Sequence, residues 1–378
     1  MLTAEGCRVR RGRLLERLGV EDGFALISDA AHIYYLTGYL PSPHSLNWDA
    51  HNWLLLWPNG DTLLLVDNRQ GGGARQAYVD RVETLKWHGL WGPCENRMRA
   101  MNAFLAETLK KEKITAKRLA CEMERLPTQA GEALAEARLP RPSIDATPAL
   151  EQMRRAKDPD ELDVIGRNIA MAEAIHAASR DLVEPGMTEW ELYRALHAVA
   201  LEAAGEEIVM RCDVTGSPRP NREPRLGMTL EEGCLVILDM FALMSGYRAD
   251  ITNTLSVGGR PTARQMGMFA LCEAAMAAGE AALRPGARAC DVYEAVRAAF
   301  AEAGQADLFP HHAGHGIGLN HPEAPFLVPG DKTELVEGDV ITLEPGLYEP
   351  QAGGIRIENN YLITESGFRK LSNHRIGL

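Results

Sequence analysis

Short apolar runs bounded by turn residues fill the first third of the chain. Residues 24–28 and 53–57 are such runs, and 62–66 follows after Pro58-Asn-Gly60. Runs of this length read as buried strands, and the proline-glycine turn makes the second and third a hairpin. Over 98–111 and 126–137 the apolar positions recur every three or four residues, which predicts helices. The result is an α/β unit over residues 1–148. It closes in a proline-punctuated stretch from Pro140 to Pro148, where regular structure is disfavoured.

The pattern then changes. Asp158 and Pro159 form an N-cap and a first helical position, and Leu162, Ile165, Ile169 and Ile175 mark a buried stripe. Thr188 and Glu191 are spaced as a capping box for a second helix. The segment from Glu184-Pro-Gly186 to Gly205 resembles the one from Arg284-Pro-Gly286 to Gly304. Pro185, Tyr193 and Glu202 align with Pro285, Tyr293 and Glu302. Each copy leads into strand-like segments. Residues 149–378 therefore read as an α+β domain of two similar halves around a pseudo-two-fold axis, helices on one face of a curved antiparallel sheet.

The same repeat carries the chemistry. Gly233-Cys-Leu-Val-Ile-Leu-Asp239 and Gly338-Asp-Val-Ile-Thr-Leu-Glu344 each run from a glycine through apolar residues to an acid. Gly246-Tyr-Arg-Ala-Asp250 and Gly354-Ile-Arg-Ile-Glu358 each place an acid after Gly-x-Arg-x. One acid at a strand end is ordinarily solvated. Four in a repeated frame, pointing into a core, need compensating positive charge, which two divalent cations would supply. His315, in Gly314-His-Gly-Ile-Gly318, adds an imidazole. An oxygen-rich set with one nitrogen and no thiolate suits Mn(II), with Co(II), Fe(II) or Zn(II) as alternatives. Two such ions about 3.5–4 Å apart would share a water and lower its pKa, which is hydrolytic chemistry.

Charge and composition narrow the partners. The net charge of -12 argues against nucleic-acid and anionic-membrane binding. No apolar run is long enough to span a bilayer, and the first residues lack a signal-peptide pattern. Seven scattered cysteines without a C-x-x-C read as reduced thiols of a cytoplasmic protein.

On these motifs the chain resembles the prolidase, aminopeptidase P and creatinase family. Ile33-Tyr-Tyr-Leu-Thr-Gly38 and Leu150-Glu-Gln-Met-Arg-Arg-Ala-Lys157 resemble its N-terminal signature and the lead-in to its catalytic domain. Gly246 to Thr252, Gly314 to Gly318, Glu344-Pro-Gly346 and Arg356-Ile-Glu358 match motif by motif. The resemblance implies a creatinase-type N-terminal domain followed by a "pita-bread" catalytic domain. It also implies a dinuclear Xaa-Pro peptidase. By position, Asp239 would chelate one ion, His315 and Glu344 the other, and Asp250 and Glu358 would bridge. Glu344 would be the general base, His311 would line the substrate pocket, and Thr252 and Arg356 would orient the carboxylates. Relatives often pair as homodimers, and residues 44–48 would then form a rim over a neighbouring subunit's site.

Three positions depart from the family pattern. Arg222 stands where a substrate-gripping histidine is usual ahead of the first metal aspartate. It can clamp a carboxylate but cannot act as a base. His321 sits one residue early, next to Pro322, where the family carries another catalytic histidine. Asn253 replaces an arginine. The expected substrate is a short Xaa-Pro peptide. A non-peptide amino-acid derivative, cleaved on the same metal scaffold, is the alternative that Arg222 raises.

Overall fold

The computed structural model describes residues 1–41, 52–114, 116–219 and 226–378. They divide into two compact units, Met1–Arg154 and Arg155–Leu378. The helix Thr147–Arg155 thus lies almost wholly in the first.

The first unit is built on a six-stranded sheet. Its order is Arg81–Leu85, Thr62–Asp67, Trp53–Leu56, Gly23–Ile27, Arg118–Cys121 and Ile144–Asp145. Trp53–Leu56 and Thr62–Asp67 are antiparallel in register Leu56 to Thr62, as the Pro58-Asn-Gly60 turn predicts. Both strands are buried throughout, so their side chains need no alternation. Helices Arg97–Lys111 and Thr128–Glu136 contribute Met101, Leu105, Ala130 and Leu134 to the core with Trp53. Trp91, by contrast, is 97% exposed. Residues 44–48 lie outside the described residues.

The second unit repeats itself in detail. Helices Pro159–Leu182 and Glu189–Ala204 precede strands Val209–Ser217, Leu235–Met244 and Ile251–Ser256. Helices Ala263–Ala282 and Ala289–Glu302 precede His315–Gly316, Val340–Leu343 and Asn359–Thr364. The turn before the second helix of each half is tied to its sheet alike. Gly186 N–H donates to Leu230 O and Gly286 N–H to Leu335 O, both at 2.8 Å. Gly233 N–H and Gly338 N–H likewise donate to Val257 O and Ile363 O, both at 2.9 Å. Equal spacing in the sequence therefore becomes equal hydrogen bonding.

The turn-rich connection between Glu344 and Glu358 is itself a hairpin, Gly346–Glu349 with Gly353–Arg356. Leu347 and Ile355 pair across it and are fully buried. The strands of the two halves form separate ladders. A seam joins them, where Glu358 N–H donates to Thr252 O at 2.9 Å. Among the described residues no helix is long and apolar enough to cross a membrane.

Candidate metal centre

The seam gathers the four acids. Asp239 lies on Leu235–Met244 directly opposite Thr252, and Asp250 immediately precedes the returning strand Ile251–Ser256. Glu344 follows Val340–Leu343, whose Leu343 pairs with Asn359, the neighbour of Glu358. The Asn360 side chain brackets the Asp250 backbone, accepting from its N–H at 3.2 Å and donating to its C=O at 2.5 Å. Alternating side chains on these strands turn the acids inward.

Asp250, Glu344 and Glu358 are buried, Glu358 completely. Burial and the neighbouring carboxylates raise the pKa of both Asp250 and Glu358 well above the usual carboxylate range. Burial also pushes Glu344 upward. The neighbouring His312, with His315 and Arg356, outweighs it and holds the group down at about 2. Asp239 Oδ1, Asp250 Oδ1 and Glu358 Oε1 are buried without a hydrogen-bond partner among the described residues. Such atoms are costly unless a cation meets them.

Donor atoms fall into overlapping groups within 4.8 Å of one another. One is Asp239, Asp250 and Glu358. A second is His315, Glu344 and Glu358. A third is Asp250, His315 and His321, and a fourth is His311, His312 and Glu344. Asp250, His315, Glu344 and Glu358 belong to two groups each, so the groups overlap as the donors of two neighbouring cations would. The donor set therefore fits a pair of divalent ions.

Surrounding bonds aim these atoms. His315 Nδ1–H donates to Gly316 O at 2.9 Å, which leaves the Nε2 lone pair facing Asp250 Oδ2 and Glu344 Oε1, each 3.6 Å away. Thr252 donates its hydroxyl to Glu358 Oε2 at 2.6 Å, and Thr342 Oγ1 donates to Glu344 Oε1 at 3.3 Å. Arg356 donates to Asp239 Oδ2 at 2.5 Å and to Tyr348 Oη at 3.1 Å. His311 Nδ1–H donates to His312 O at 2.7 Å, so Nε2 accepts from Tyr348 Oη–H at 2.9 Å.

His321 enters the cluster, with Nε2 2.6 Å from Asp250 Oδ2 and its ring stacked on Phe241. Burial, His315 and Arg248 lower its pKa to about 4. Arg222 lies outside the described residues. Asn253 turns away from the acids, donating to Gly377 O and accepting from Gly377 N–H. His312 and Tyr348 are participants that motif spacing does not mark. His312 Nδ1 is 3.3 Å from Glu344 Oε1. Tyr348 is hidden in a segment that reads as turns.

Behind the acids, His176 and His374 stack with ring centroids 4.8 Å apart. Each donates Nε2–H to a backbone carbonyl, of Ile251 at 3.0 Å and of Thr252 at 3.2 Å. Burial lowers both pKa values, to about 3 for His176 and about 4 for His374. Below the unfolded value of 6.5 the unfolded chain takes up protons that the folded pair refuses, so the pair removes stability as pH falls. His374→Gln keeps an amide donor near the Nε2 position without titrating. Its metal-free form is expected to lose less Tm than wild type between about pH 7 and about pH 5. Equal losses would contradict this.

Comparison with known proteins follows the same division of the chain. The sequence profile of metallopeptidase family M24 matches residues 165–365, and that of the creatinase/prolidase N-terminal domain matches residues 10–156. A probable dipeptidase PepE of Mycobacterium bovis is 34% identical over 232 residues. The match takes in 60% of this chain and 61% of that protein, so the chain spans about three-fifths of that curated relative's length. The Xaa-Pro dipeptidase of Pyrococcus furiosus is 32% identical over 226 residues, 59% of this chain and 64% of that protein. The crystal structure of the prolidase from Pyrococcus horikoshii OT3 superposes with a TM-score of 0.81 at 24% identity. It covers 98% of this chain and 99% of that one, and shows the shared fold.

Proposed function

Since the chain belongs to metallopeptidase family M24 and carries a creatinase/prolidase N-terminal domain, we propose that it is a dinuclear Xaa-Pro peptidase. It would cleave the bond before proline in a dipeptide or short peptide. The carrying observation is the convergence of four acids and His315, with three buried carboxylate oxygens lacking a hydrogen-bond partner among the described residues.

In this reading Asp239 would hold one ion, His315 and Glu344 would hold the other, and Asp250 and Glu358 would serve both. Bound there, two ions would supply Lewis acidity and a water acidic enough to ionise near neutral pH. Glu344, ionised at neutral pH, would accept the proton of the attacking water and pass it to the leaving amine. His311 would keep a nitrogen directed at Tyr348 and the substrate side of the cluster. His321 would donate to Asp250 before the site fills and to a substrate oxygen afterwards. Arg356 would fix Asp239 in its ligating orientation. Arg222 would bind the substrate's carboxylate.

The oxygen-rich donor set favours Mn(II) over Co(II), Zn(II) or Fe(II). Seven scattered cysteines without a C-x-x-C support residence in the cytoplasm. A homodimer belongs to the same reading, and light scattering of the full chain tests it. Chelator treatment is expected to abolish proline release from Xaa-Pro dipeptides, and added Mn(II) to restore it. Turnover that survives stripping, or an Mn(II)-loaded protein that cuts no Xaa-Pro bond, contradicts the proposal. Comparing dipeptides with longer Xaa-Pro peptides separates the dipeptidase from the aminopeptidase form.

A further inference from the structure

We infer that the segment 371–377 is a positioning strap that holds the two shared acids, Asp250 and Glu358, at ligating distance. The inference rests on the metal-binding reading above. It assigns a role to residues that neither spacing nor the comparisons single out.

The strap runs behind both acid-bearing strands and bonds to each beside its acid. On the Glu358 side, Leu371 N–H donates to Asn360 O at 2.8 Å. The Ser372 hydroxyl is fully buried, accepts from Asn360 N–H at 3.0 Å and donates to Asn359 Oδ1 at 2.9 Å. Asn360 is the residue whose side chain grips the Asp250 backbone from both sides. On the Asp250 side, His374 Nε2–H donates to Thr252 O, and Asn253 exchanges two hydrogen bonds with Gly377. Thr252 O also accepts from Glu358 N–H. One carbonyl therefore receives both the strap histidine and the amide of a shared acid.

The strap is itself fastened to the helix Pro159–Leu182. Asn373 N–H donates to Glu173 at 2.5 Å, and Arg180 donates to the carbonyls of Arg375 at 2.8 Å and Gly377 at 3.1 Å. From the same helix, His176 bonds Ile251 O and stacks on His374. Asp250 and Glu358 thus sit on strands joined to each other at Thr252 and tied from behind to one rigid helix. Four mutually repelling carboxylates would otherwise spread apart. Backbone ties of this kind resist that spread before any ion binds, so the cost of gathering the acids is met by folding rather than by metal affinity.

The test is calorimetric titration of chelator-stripped full-length protein with Mn(II), reading affinity and stoichiometry. Circular dichroism reports the fold of each variant. His374→Leu is expected to bind Mn(II) at least about 10-fold more weakly than wild type while remaining folded. His374→Gln, which retains the donor to Thr252 O, is expected to bind near the wild-type affinity. A folded His374→Leu protein with wild-type affinity overturns the inference. So does a His374→Gln protein as weak as the leucine variant. If His374→Leu does not fold, Ser372→Ala decides. It removes the bond to the Asn360 amide without a change in bulk, and weakened binding supports the strap whereas unchanged binding overturns it. A wild-type protein that takes up no Mn(II) overturns the functional reading itself, which separates that failure from a failure of the strap.

Discussion

Replacing Glu358 with glutamine is expected to leave the fold intact and to lower kcat on the order of 10³-fold or more, as loss of one member of a cooperating unit does. Glu358 is fully buried and shared by two donor groups. Glutamine keeps its shape, and its carbonyl oxygen can still accept the Thr252 hydroxyl. The cost falls on the other atom. Glu358 Oε1 has no hydrogen-bond partner among the described residues, and an amide NH₂ there points a donor where a cation belongs. The sign of the stability change distinguishes this from simple damage. Burial and neighbouring acids hold the Glu358 pKa high, so its charge destabilises the metal-free protein near neutral pH. The variant is therefore expected to be at least as stable as wild type after chelation, and to gain less Tm when Mn(II) is added. Thermal scans with and without Mn(II), beside kcat, check both halves. A variant that keeps wild-type activity would show that Glu358 is no ligand.

Arg356→Met is expected to act in the opposite sense on the metal-free protein. The side chain is 16% exposed, and its guanidinium bonds Asp239 and Tyr348, with Nε 4.0 Å from Glu344 Oε2. Burial works against its charge, but Asp239, Tyr348 and Glu344 together raise its pKa further above its ordinary value. Its removal leaves four acids without their buried cation, a loss of about 3 kcal/mol in urea unfolding of the stripped protein. It also frees Tyr348, and through it the orientation of His311. An activity loss of about 10–100-fold is expected even at saturating Mn(II). Arg356→Lys should recover part of the stability and little of the activity, since one ammonium cannot serve two partners in a fixed plane. If the methionine variant unfolds at the wild-type urea concentration, Arg356 does not balance the acids.

The four acids were legible because a repeated frame singles them out, and His315 by its place in Gly314-His-Gly-Ile-Gly318 between the two pairs. A repeated glycine-to-acid frame marks strand ends, and strand ends of a repeat meet at its axis. Hydrogen bonds such as those of Gly186 and Gly286 then enforce the symmetry. The first helix, Ala4–Leu18, was not legible in the same way. Its buried face includes Arg10, whose guanidinium is satisfied by Tyr35 O at 2.7 Å. A buried charge breaks the apolar periodicity that would announce a helix. The strand that carries Tyr348 is hidden by Pro345, Gly346, Pro350, Gly353 and Gly354, which read as turns. Gly354 is there for packing, since a Cβ would meet Tyr348 Cδ1 at 2.8 Å. The 371–377 strap has no period at all. Its bonds mix backbone and side-chain groups of several elements, and no spacing rule reports them. His312 illustrates the same gap, because its approach to Glu344 depends on an irregular segment rather than on a face of a helix or strand.

Metal content of the full chain, measured by elemental analysis after stripping, reloading with Mn(II) and removal of free ion, tests the central claim most directly. Two ions per chain in wild type and fewer than two in Glu358→Gln are expected, with Xaa-Pro cleavage rising as the second ion is taken up. A wild-type chain that holds no ion, or one that cleaves Xaa-Pro dipeptides equally well when stripped, would contradict a dinuclear centre at these residues.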